Sequence, residues 1–306
     1  MSAHIPAAGA ANDVVVVGNA GLDTQAYLPP GEVDWSADSR FVRVRDGAGQ
    51  AGAYASRGYA RLGFKTAFVG HLGDDAAGHF VRQVLTRDHV DVQGVWLDPA
   101  GTARSVNLVL ADGSRKAFYD GRDHMTLAPD LEACRHALRG ARLAHVNLAN
   151  WARQVIPLAR SAGARVATDL QDVRALDDAY RTDFITGSDY LFLSGANLAQ
   201  PADFVRALLA RRPDRIVVAG LGADGCLVGT AQAIAHFPAL DAFGPVVDTN
   251  GAGDALAVGF LSAHALLGLP IAEAARWGQR AARYTCALRA PKDGLIDRET
   301  ISAAWV

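Results

Sequence analysis

The most regular feature of the chain is a series of short apolar runs separated by longer amphipathic stretches. Residues 14–17 are four consecutive valines that end at Gly18. A continuous β-branched run of this kind is typical of a strand that is buried on both faces. Similar runs recur at 143–148, 165–170, 189–194 and 215–220, and helical patterns lie between them at 151–164, 202–213 and 253–268. This alternation predicts βαβ units and a parallel sheet covered by helices on both faces.

Two segments break this pattern. Residues 32–47 and 102–121 alternate apolar and polar positions with a period of two, which predicts strands with one wet face. The sequence Ala-Asp-Gly-Ser at 111–114 is a suitable hairpin turn between two such strands. A small, half-exposed sheet is therefore inserted into the α/β domain, either as a lid over a cleft or as an extra edge of the main sheet.

Composition narrows the class of protein. The chain has 306 residues, 50% of them hydrophobic and 20% charged, with a formal net charge of -2. This balance argues against a nucleic-acid-binding protein, which carries a basic excess. No apolar run approaches the roughly 20 residues of a membrane helix. We interpret residues 1–12 as a flexible tail and 13–306 as one domain. The three cysteines are far apart, which predicts buried thiols in a cytoplasmic protein and no disulfide or zinc site.

Two glycine-rich loops fit the dinucleotide-binding pattern GxGxxG, at 47–52 and 220–225. That fingerprint requires a buried parallel strand before the loop and a helix after it. The first loop follows an alternating strand, and the second leads into another strand-like run. We therefore reject a Rossmann dinucleotide site, although glycines in both loops would let the backbone approach a ligand closely.

A third loop, at 250–254, carries more specific chemistry. Gly251, Ala252 and Gly253 precede an apolar helix. Their small side chains leave the first N–H groups of that helix bare, which predicts an anion hole suited to a phosphate. Asp254 follows directly. It is either a carboxylate that stabilises the first helical turn or a general base beside the phosphate. We favour the general base, because helix stabilisation alone does not require three small residues in front of it.

Several motifs, in order, resemble the ribokinase-like (PfkB) family of sugar and nucleoside kinases. DTNGAGDALAVGF at 248–260 resembles the family's C-terminal signature, and 60–80 resembles its N-terminal signature. The segment from Gly18 to Asp23 resembles the family's substrate loop in its spacing. Residues 217–225 resemble the strand and turn that hold the nucleotide phosphates. The resemblance extends from about residue 14 to about residue 295.

The resemblance implies a three-layer α/β/α sandwich with a mostly parallel central sheet and a small β-sheet lid, formed by the segments 32–47 and 102–121. It implies transfer of the ATP γ-phosphate to a substrate hydroxyl with Mg²⁺, a monovalent cation such as K⁺ being a further option. It also implies a homodimer formed through the lid and a small sugar or nucleoside as substrate. Composition, as described above, predicts no nucleic-acid or membrane partner.

The family's functional residues map onto this chain by motif. Asp254 resembles the general base, and residues 251–253 resemble the anion hole. Binding residues implied for the substrate are Asp23, Gly49, Gln50, Tyr54, Asn147 and Arg122. Those implied for ATP are Gly222, Gly225, Thr249 and Gln279, the last near the adenine.

The chain departs from the family pattern at several sites. Gly21 replaces an asparagine of the substrate loop, and Gln50 and Tyr54 replace a glycine and an asparagine. The N-x-x-E motif that orders magnesium waters aligns with 194–197, where Asn197 stands in place of the glutamate. The glutamate is therefore missing, and Asn197 is left as a weak ligand through water. Tyr54 offers a flat ring that would stack on a sugar or a nucleobase.

A pair of arginines raises the option of a phosphorylated substrate. Arg104 and Arg122 lie in or beside the alternating segments. They would bind a sugar phosphate if they faced the cleft, and are solvated otherwise.

Three hypotheses remain open from the sequence. The first is an ATP-dependent kinase of a small sugar. The second is a nucleoside kinase, motivated by Tyr54 and the lost asparagines. The third is a non-catalytic relative that binds a sugar or nucleoside, motivated by the missing glutamate.

Overall fold

The computed structural model describes residues 11–30, 36, 38–289 and 294–303. Residues 1–10, 31–35 and 37 lie outside this range, so most of the predicted tail and part of the predicted segment 32–47 do too. The strands are β1 (Val14–Val17), β2 (Gly21–Tyr27), β3 (Arg43–Gly49), β4 (Thr66–Leu72), β5 (Asp91–Leu97), β6 (Ala103–Val109), β7 (Arg115–Asp120), β8 (Leu143–Val146), β9 (Arg165–Asp169), β10 (Tyr190–Ser194), β11 (Ile216–Gly220), β12 (Cys226–Gly229) and β13 (Ile234–Phe237). The helices are α1 (Gln50–Arg61), α2 (Ala76–Arg87), α3 (Leu131–Leu138), α4 (Ile156–Ser161), α5 (Thr182–Gly187), α6 (Pro201–Arg211), α7 (Ala252–Leu261), α8 (Ile271–Cys286) and α9 (Arg298–Ser302).

Nine strands form one large sheet, in the order β13-β12-β11-β10-β9-β8-β1-β4-β5. All neighbours from β11 to β5 run parallel, and only β12 and β13 are antiparallel to their neighbours. The apolar runs of the sequence form the centre of this sheet. Because crossover helices join parallel strands, the carboxyl ends of β1, β4, β8, β9 and β10 share one edge.

The valines of β1 show why the sheet has helices on both faces. Val14 and Val16 pack into one hydrophobic core, and Val15 and Val17 pack into a second core. All four side chains are fully buried. Since successive side chains of a strand point to opposite faces, the two cores lie on opposite sides of the sheet. The predicted three-layer α/β/α fold is confirmed.

Four strands form a separate, smaller sheet, in the order β3-β2-β6-β7, which we call the lid. β6 and β7 form the hairpin predicted for 102–121, with its turn at 111–114. Of the predicted segment 32–47, the described strand β3 starts only at Arg43. The sequence did not predict β2 as a strand, because its alternation is inverted: Asp23 and Gln25 are its buried positions.

The structure also bears on the expectations for the cysteines and for membrane-spanning helices. The three cysteines are free and buried. Among the described residues, no helix has both the length and the apolar character needed to cross a membrane.

Candidate active site

The loop before α7 bends sharply into the helix. Gly251 has a φ of 77°, a left-handed conformation that glycine adopts without strain. Ala252 N–H donates to Thr249 O at 3.2 Å. The N–H groups of Gly251 and Gly253 have no carbonyl partner in the described part of the chain. Gly253 is exposed. Two backbone donors at a helix N-terminus are therefore left without a carbonyl acceptor, as an anion site requires.

Asp254, in the first turn of α7, carries a perturbed carboxyl group. Burial is the main cause that raises the pKa of Asp254 to about 7; the nearby carboxylates of Asp169 and Asp23 contribute to the rise, and Arg115 opposes it. Asp169 ends β9, and a methyl group added to Gly253 would lie 3.7 Å from its Oδ2 atom. Burial also raises the pKa of Asp169. A carboxyl group with a pKa near 7 suits proton transfer at neutral pH.

Polar atoms without partners gather where the lid meets the large sheet. Within the described residues, Asp23 Oδ1, both amide atoms of Gln50 and Asn147 Oδ1 are buried and form no hydrogen bond. Such groups cost about 1–3 kcal/mol each when left unsatisfied. A side chain on Gly18 would collide with Asn147, and one on Gly49 would collide with Asp23. These glycines therefore make room for the polar side chains to converge.

Among the described residues, three side-chain hydrogen bonds help to hold the lid against the rest of the domain. Asn19 Nδ2 donates to Tyr119 Oη at 3.1 Å. On the other side of the cleft, Tyr27 Oη donates to Asp248 Oδ2 at 3.0 Å. Thr249 Oγ1 donates to the Gly113 carbonyl at the tip of the hairpin, at 3.1 Å. The sequence assigned Thr249 to ATP, but its hydroxyl holds the lid.

Tyr54 does not line the cleft as predicted. Its ring is 6% exposed and packs beneath Gly251, where an added methyl group would lie 3.5 Å from it. Asn250 Nδ2 donates to Tyr54 Oη at 2.9 Å, and the Asn250 side chain also opposes the rise in the pKa of Asp23 that burial causes. Stacking on a sugar or a base is therefore wrong for this conformation. The tyrosine instead supports the loop that carries the anion site.

Two further assignments also need correction. Gln279 is buried, and its Nε2 donates to the carbonyls of Phe237 and Pro238 at 2.7 and 2.9 Å, so its amide group holds the end of β13 and is not free for adenine. Asn197 Nδ2 donates to Asp172 Oδ1 at 2.9 Å, which leaves it committed to a neighbouring carboxylate.

The two arginines proposed for a sugar phosphate are also engaged or turned away. Arg122 Nη1 lies 3.1 Å from Asp120 Oδ2, and its Nε donates to Thr102 O at 3.3 Å. Arg104 is exposed and alternates with the buried residues Ala103 and Ser105. It therefore lies on the outer face of the lid.

The glycine loop after β11 remains open, as expected for a nucleotide loop. Gly222 has a φ of 62°, and no atom lies within 4 Å of a methyl group placed on it. Gly225 has a φ of 90°, and a side chain there would collide with Phe237 O. β12 follows the loop directly, which explains why the dinucleotide fingerprint has no helix behind it.

Sequence reasoning missed three residues near the site. Asp169 could have been noticed as the one acid in the predicted strand 165–170. Asn250 directly precedes the small residues of the anion loop. Arg115 follows the predicted hairpin turn, and carried no signal beyond its charge.

Comparisons with known proteins agree with this geometry. The profile of the pfkB family carbohydrate kinases matches residues 11–295. The chain is 33% identical over 296 residues to the acarbose 7(IV)-phosphotransferase of an Actinoplanes species, covering 94% of this chain and 97% of that protein. It is 31% identical to the aminoimidazole riboside kinase of Salmonella typhimurium, covering 82% of this chain and 81% of that protein.

Solved structures show the same fold. A microbiome-derived acarbose kinase superposes with a TM-score of 0.87 at 32% identity, covering 95% of this chain and 98% of the other. The ribokinase of Arabidopsis thaliana superposes with a TM-score of 0.75 at 22% identity, covering 95% and 98%, which supports the fold alone.

A doubly wound sheet, a small lid and a glycine-rich helix start with a perturbed carboxyl group define a phosphotransferase with a hydroxyl acceptor. The chain belongs to the pfkB family of carbohydrate kinases. The predicted family and enzyme class are confirmed, and the non-catalytic hypothesis loses its support.

Proposed function

We propose that this protein transfers the γ-phosphate of ATP to a hydroxyl of a sugar, with Asp254 as the general base. The observation that carries the proposal is the set of buried, unpartnered polar atoms on Asp23, Gln50 and Asn147, in the same cleft as a carboxyl group with a pKa near 7. A polyol would satisfy these donors and acceptors together, and an apolar ligand would leave them unpaired.

The acceptor site is built by the lid and the large sheet together. Asp23 comes from β2 of the lid, Gln50 starts α1, and Asn147 follows β8. Gln50 N–H donates to Asp23 Oδ2 at 3.4 Å, which leaves Oδ1 for a sugar hydroxyl. Two vicinal hydroxyls bridging these side chains would fix one further hydroxyl beside Asp254.

The chemical step follows from the anion loop. As the acceptor oxygen forms its bond to the γ-phosphorus, the bond from that phosphorus to the bridging oxygen of ADP breaks. The hydroxyl proton passes to Asp254, and ADP leaves with the bridging oxygen. The N–H groups of Gly251 and Gly253 stabilise charge on the transferring group, and the open loop at Gly222 and Gly225 holds the remaining phosphates.

The donor set next to the anion loop fits Mg²⁺. Asp169 supplies carboxylate oxygens beside Gly253, and hard oxygen donors are the ligands that Mg²⁺ prefers. When bound with ATP, the ion neutralises phosphate charge. Asp169 would hold it directly or through water, and Asn197 would act only through Asp172. The monovalent cation stays a prediction, tested by comparing turnover in potassium and sodium buffers.

Of the two observations that favoured a nucleoside, the Tyr54 ring no longer supports it, because the ring is buried, whereas the lost asparagines of the substrate loop remain. A larger sugar is the second candidate, because the two acarbose kinases are 33% and 32% identical to this chain over nearly its full length. Acarbose also presents vicinal hydroxyls, so the polar atoms of Asp23 and Asn147 suit it equally.

A coupled assay of ADP release tests the proposal on ribose, fructose, acarbose, maltose, adenosine and inosine, each with Mg²⁺. We expect turnover with sugars and less than one hundredth of it with the nucleosides. Turnover with nucleosides alone would replace the sugar hypothesis, and ADP release that no acceptor stimulates would refute the kinase assignment.

A homodimer through the lid also belongs to this proposal. Val44, Val106 and Phe118 are 54%, 46% and 52% exposed and lie on the outer face of the lid, on three of its four strands. An exposed apolar face of this kind favours self-association. We expect Phe118→Asp to convert a dimer into a monomer in light scattering, and a wild-type monomer at high concentration would refute this contact. A cytoplasmic location stays a prediction.

A further inference from the structure

Phosphoryl transfer requires positive charge close to the γ-phosphate, and the cleft is rich in negative charge. Asp23, Asp169 and Asp254 all contribute carboxyl groups to it. The sequence contains only three lysines, and none of them follows a glycine-rich loop. The question raised by the site is therefore which cation of the chain itself can reach the transferring group.

Arg115 is placed to do so by the hairpin of the lid. It is the first residue of β7 and pairs with Val109 of β6. Two residues earlier, Gly113 O accepts the hydrogen bond of Thr249, which immediately precedes the anion loop. The strand that carries Arg115 is thus anchored beside the phosphate site when the lid is closed.

The register of the lid indicates which way Arg115 faces. Its partner Val109 and the neighbouring Asn107 are 1% and 2% exposed, so they belong to the inner face of the lid. Arg115 Nη1 donates to Asn107 Oδ1 at 3.4 Å, which is a long and weak hydrogen bond. Arg115 is itself exposed, which leaves most of its five donors available on the inner side.

The charge of Arg115 acts on carboxyl groups in both parts of the site, the acceptor side and the phosphate side. It opposes the effect of burial on the pKa of Asp23, the acceptor-side carboxyl group, and on that of Asp254. In the part of the chain that the structure describes, no carboxylate lies within ion-pair distance of it. Arg122, by contrast, which lies just beyond the other end of β7, is paired with Asp120 at 3.1 Å.

We propose that Arg115 binds the oxygens of the transferring phosphoryl group from the lid side, opposite the backbone N–H groups of the anion loop. It forms and breaks no covalent bond. Its guanidinium supplies two parallel donors, a geometry that matches phosphate oxygens. Closure of the lid would thereby complete the charge-stabilising shell of the site. This inference rests on the proposed kinase function.

The test compares Arg115→Ala, Arg115→Lys and the matched control Arg104→Ala, which removes an arginine from the outer face of the same sheet. We expect Arg115→Ala to lower kcat by about 10²–10³-fold, the effect of losing one donor to a developing charge, with little change in sugar KM. Arg115→Lys should retain an intermediate kcat, and guanidinium ion should partly restore the alanine variant. Arg104→Ala should match the wild type.

Binding measurements distinguish this role from a structural one. Calorimetry with ADP plus aluminium fluoride should show affinity reduced at least 30-fold in Arg115→Ala, while affinity for ADP alone changes less than twofold. Equal losses for both ligands would overturn the inference. So would a variant whose only defect is a raised sugar KM. These titrations need no acceptor, so they decide the role of Arg115 even if the sugar screen refutes the proposed function.

Discussion

The two sheets of the molecule bury opposite kinds of side chain. In the large sheet, strands such as β1 place valines on both faces, and every one of them is fully buried. In the lid, the buried face carries Asp23, Gln25 and Asn107, exposed by at most 4%, while Phe118 on the outer face is 52% exposed. The large sheet is organised by hydrophobic burial, whereas the inner face of the lid is organised for a polar ligand. Substitutions in the two sheets should therefore separate stability from activity.

The largest effect is expected at the point where the lid covers α7. Asp254→Asn should lower kcat by about 10²–10⁴-fold, because a neutral amide cannot accept the hydroxyl proton. The melting temperature of the unliganded protein above pH 7 should be unchanged or higher, since a buried charge is removed. Kinetic and thermal measurements on Asp203→Asn, an exposed aspartate of α6, provide the control. Near wild-type turnover in Asp254→Asn would remove this residue from the reaction.

A smaller effect is expected within the lid. Asp23→Asn should lower kcat/KM for the sugar by roughly 10- to 150-fold, the value of one or more hydrogen bonds to a charged group. Asp46→Asn is the matched control, because Asp46 lies on the adjacent strand, is exposed and, within the described ranges, accepts a side-chain hydrogen bond only from Thr24. Steady-state kinetics should be measured for both variants. Equal losses of kcat/KM would contradict the assignment of Asp23 to a sugar-binding inner face of the lid.

The pH dependence should reflect Asp254 as well. A base must be deprotonated, so kcat/KM should fall about tenfold per pH unit below the pKa of about 7. Stability should run the other way. Because the folded pKa lies above the ordinary value of 3.8, the folded state takes up protons, and this stabilisation is lost as the pH rises through about 7. A kcat/KM profile that is flat from pH 5 to 8 would contradict the assignment.

The smallest effect on turnover is expected in the large sheet. Leu191 of β10 is fully buried, and Leu191→Ala should reduce the free energy of unfolding by about 2–5 kcal/mol. Its kcat and KM at a temperature where the variant is folded should stay within twofold of the wild type. Leu97→Ala, at a leucine that is 62% exposed, is the control for denaturant unfolding. A Leu191→Ala variant that is stable but inactive would contradict the expectation that substitutions in the large sheet affect stability and those in the lid affect activity.

The sequence predicted the large sheet well and the site in part, for physical reasons. A strand buried on both faces has to be apolar throughout, so the runs at 14–17 and 189–194 could be recognised directly. Backbone features also have sequence signatures, and the small residues at 251–253 predicted a helix start with free N–H groups. The lid strand β2 was missed because its buried positions are polar, which reverses the usual pattern.

Side-chain partnerships account for the assignments that were wrong. Tyr54 and Gln279 align with ligand-binding positions of the family, but their polar atoms are engaged within the protein. Tyr54 Oη accepts from Asn250, and Gln279 Nε2 donates to the carbonyls of Phe237 and Pro238 at the end of β13. Whether such a side chain faces a ligand or supports a loop depends on contacts between segments far apart in the chain. A single sequence contains no direct record of those contacts.

The hydrogen bond between Asn19 and Tyr119 links the position of the lid to the surroundings of two tryptophans, and therefore to the intrinsic fluorescence of the protein. Asn19 also accepts, through Oδ1, from the indole Nε1 of Trp151 at 3.3 Å, and the Trp151 ring lies edge-on to Trp96, with ring centroids 5.0 Å apart. When the lid lifts, Asn19 loses Tyr119 and water reaches this side of the indole pair. Intrinsic tryptophan fluorescence should therefore follow lid opening in real time without any attached dye, and substitution of Tyr119 by phenylalanine should silence most of that signal.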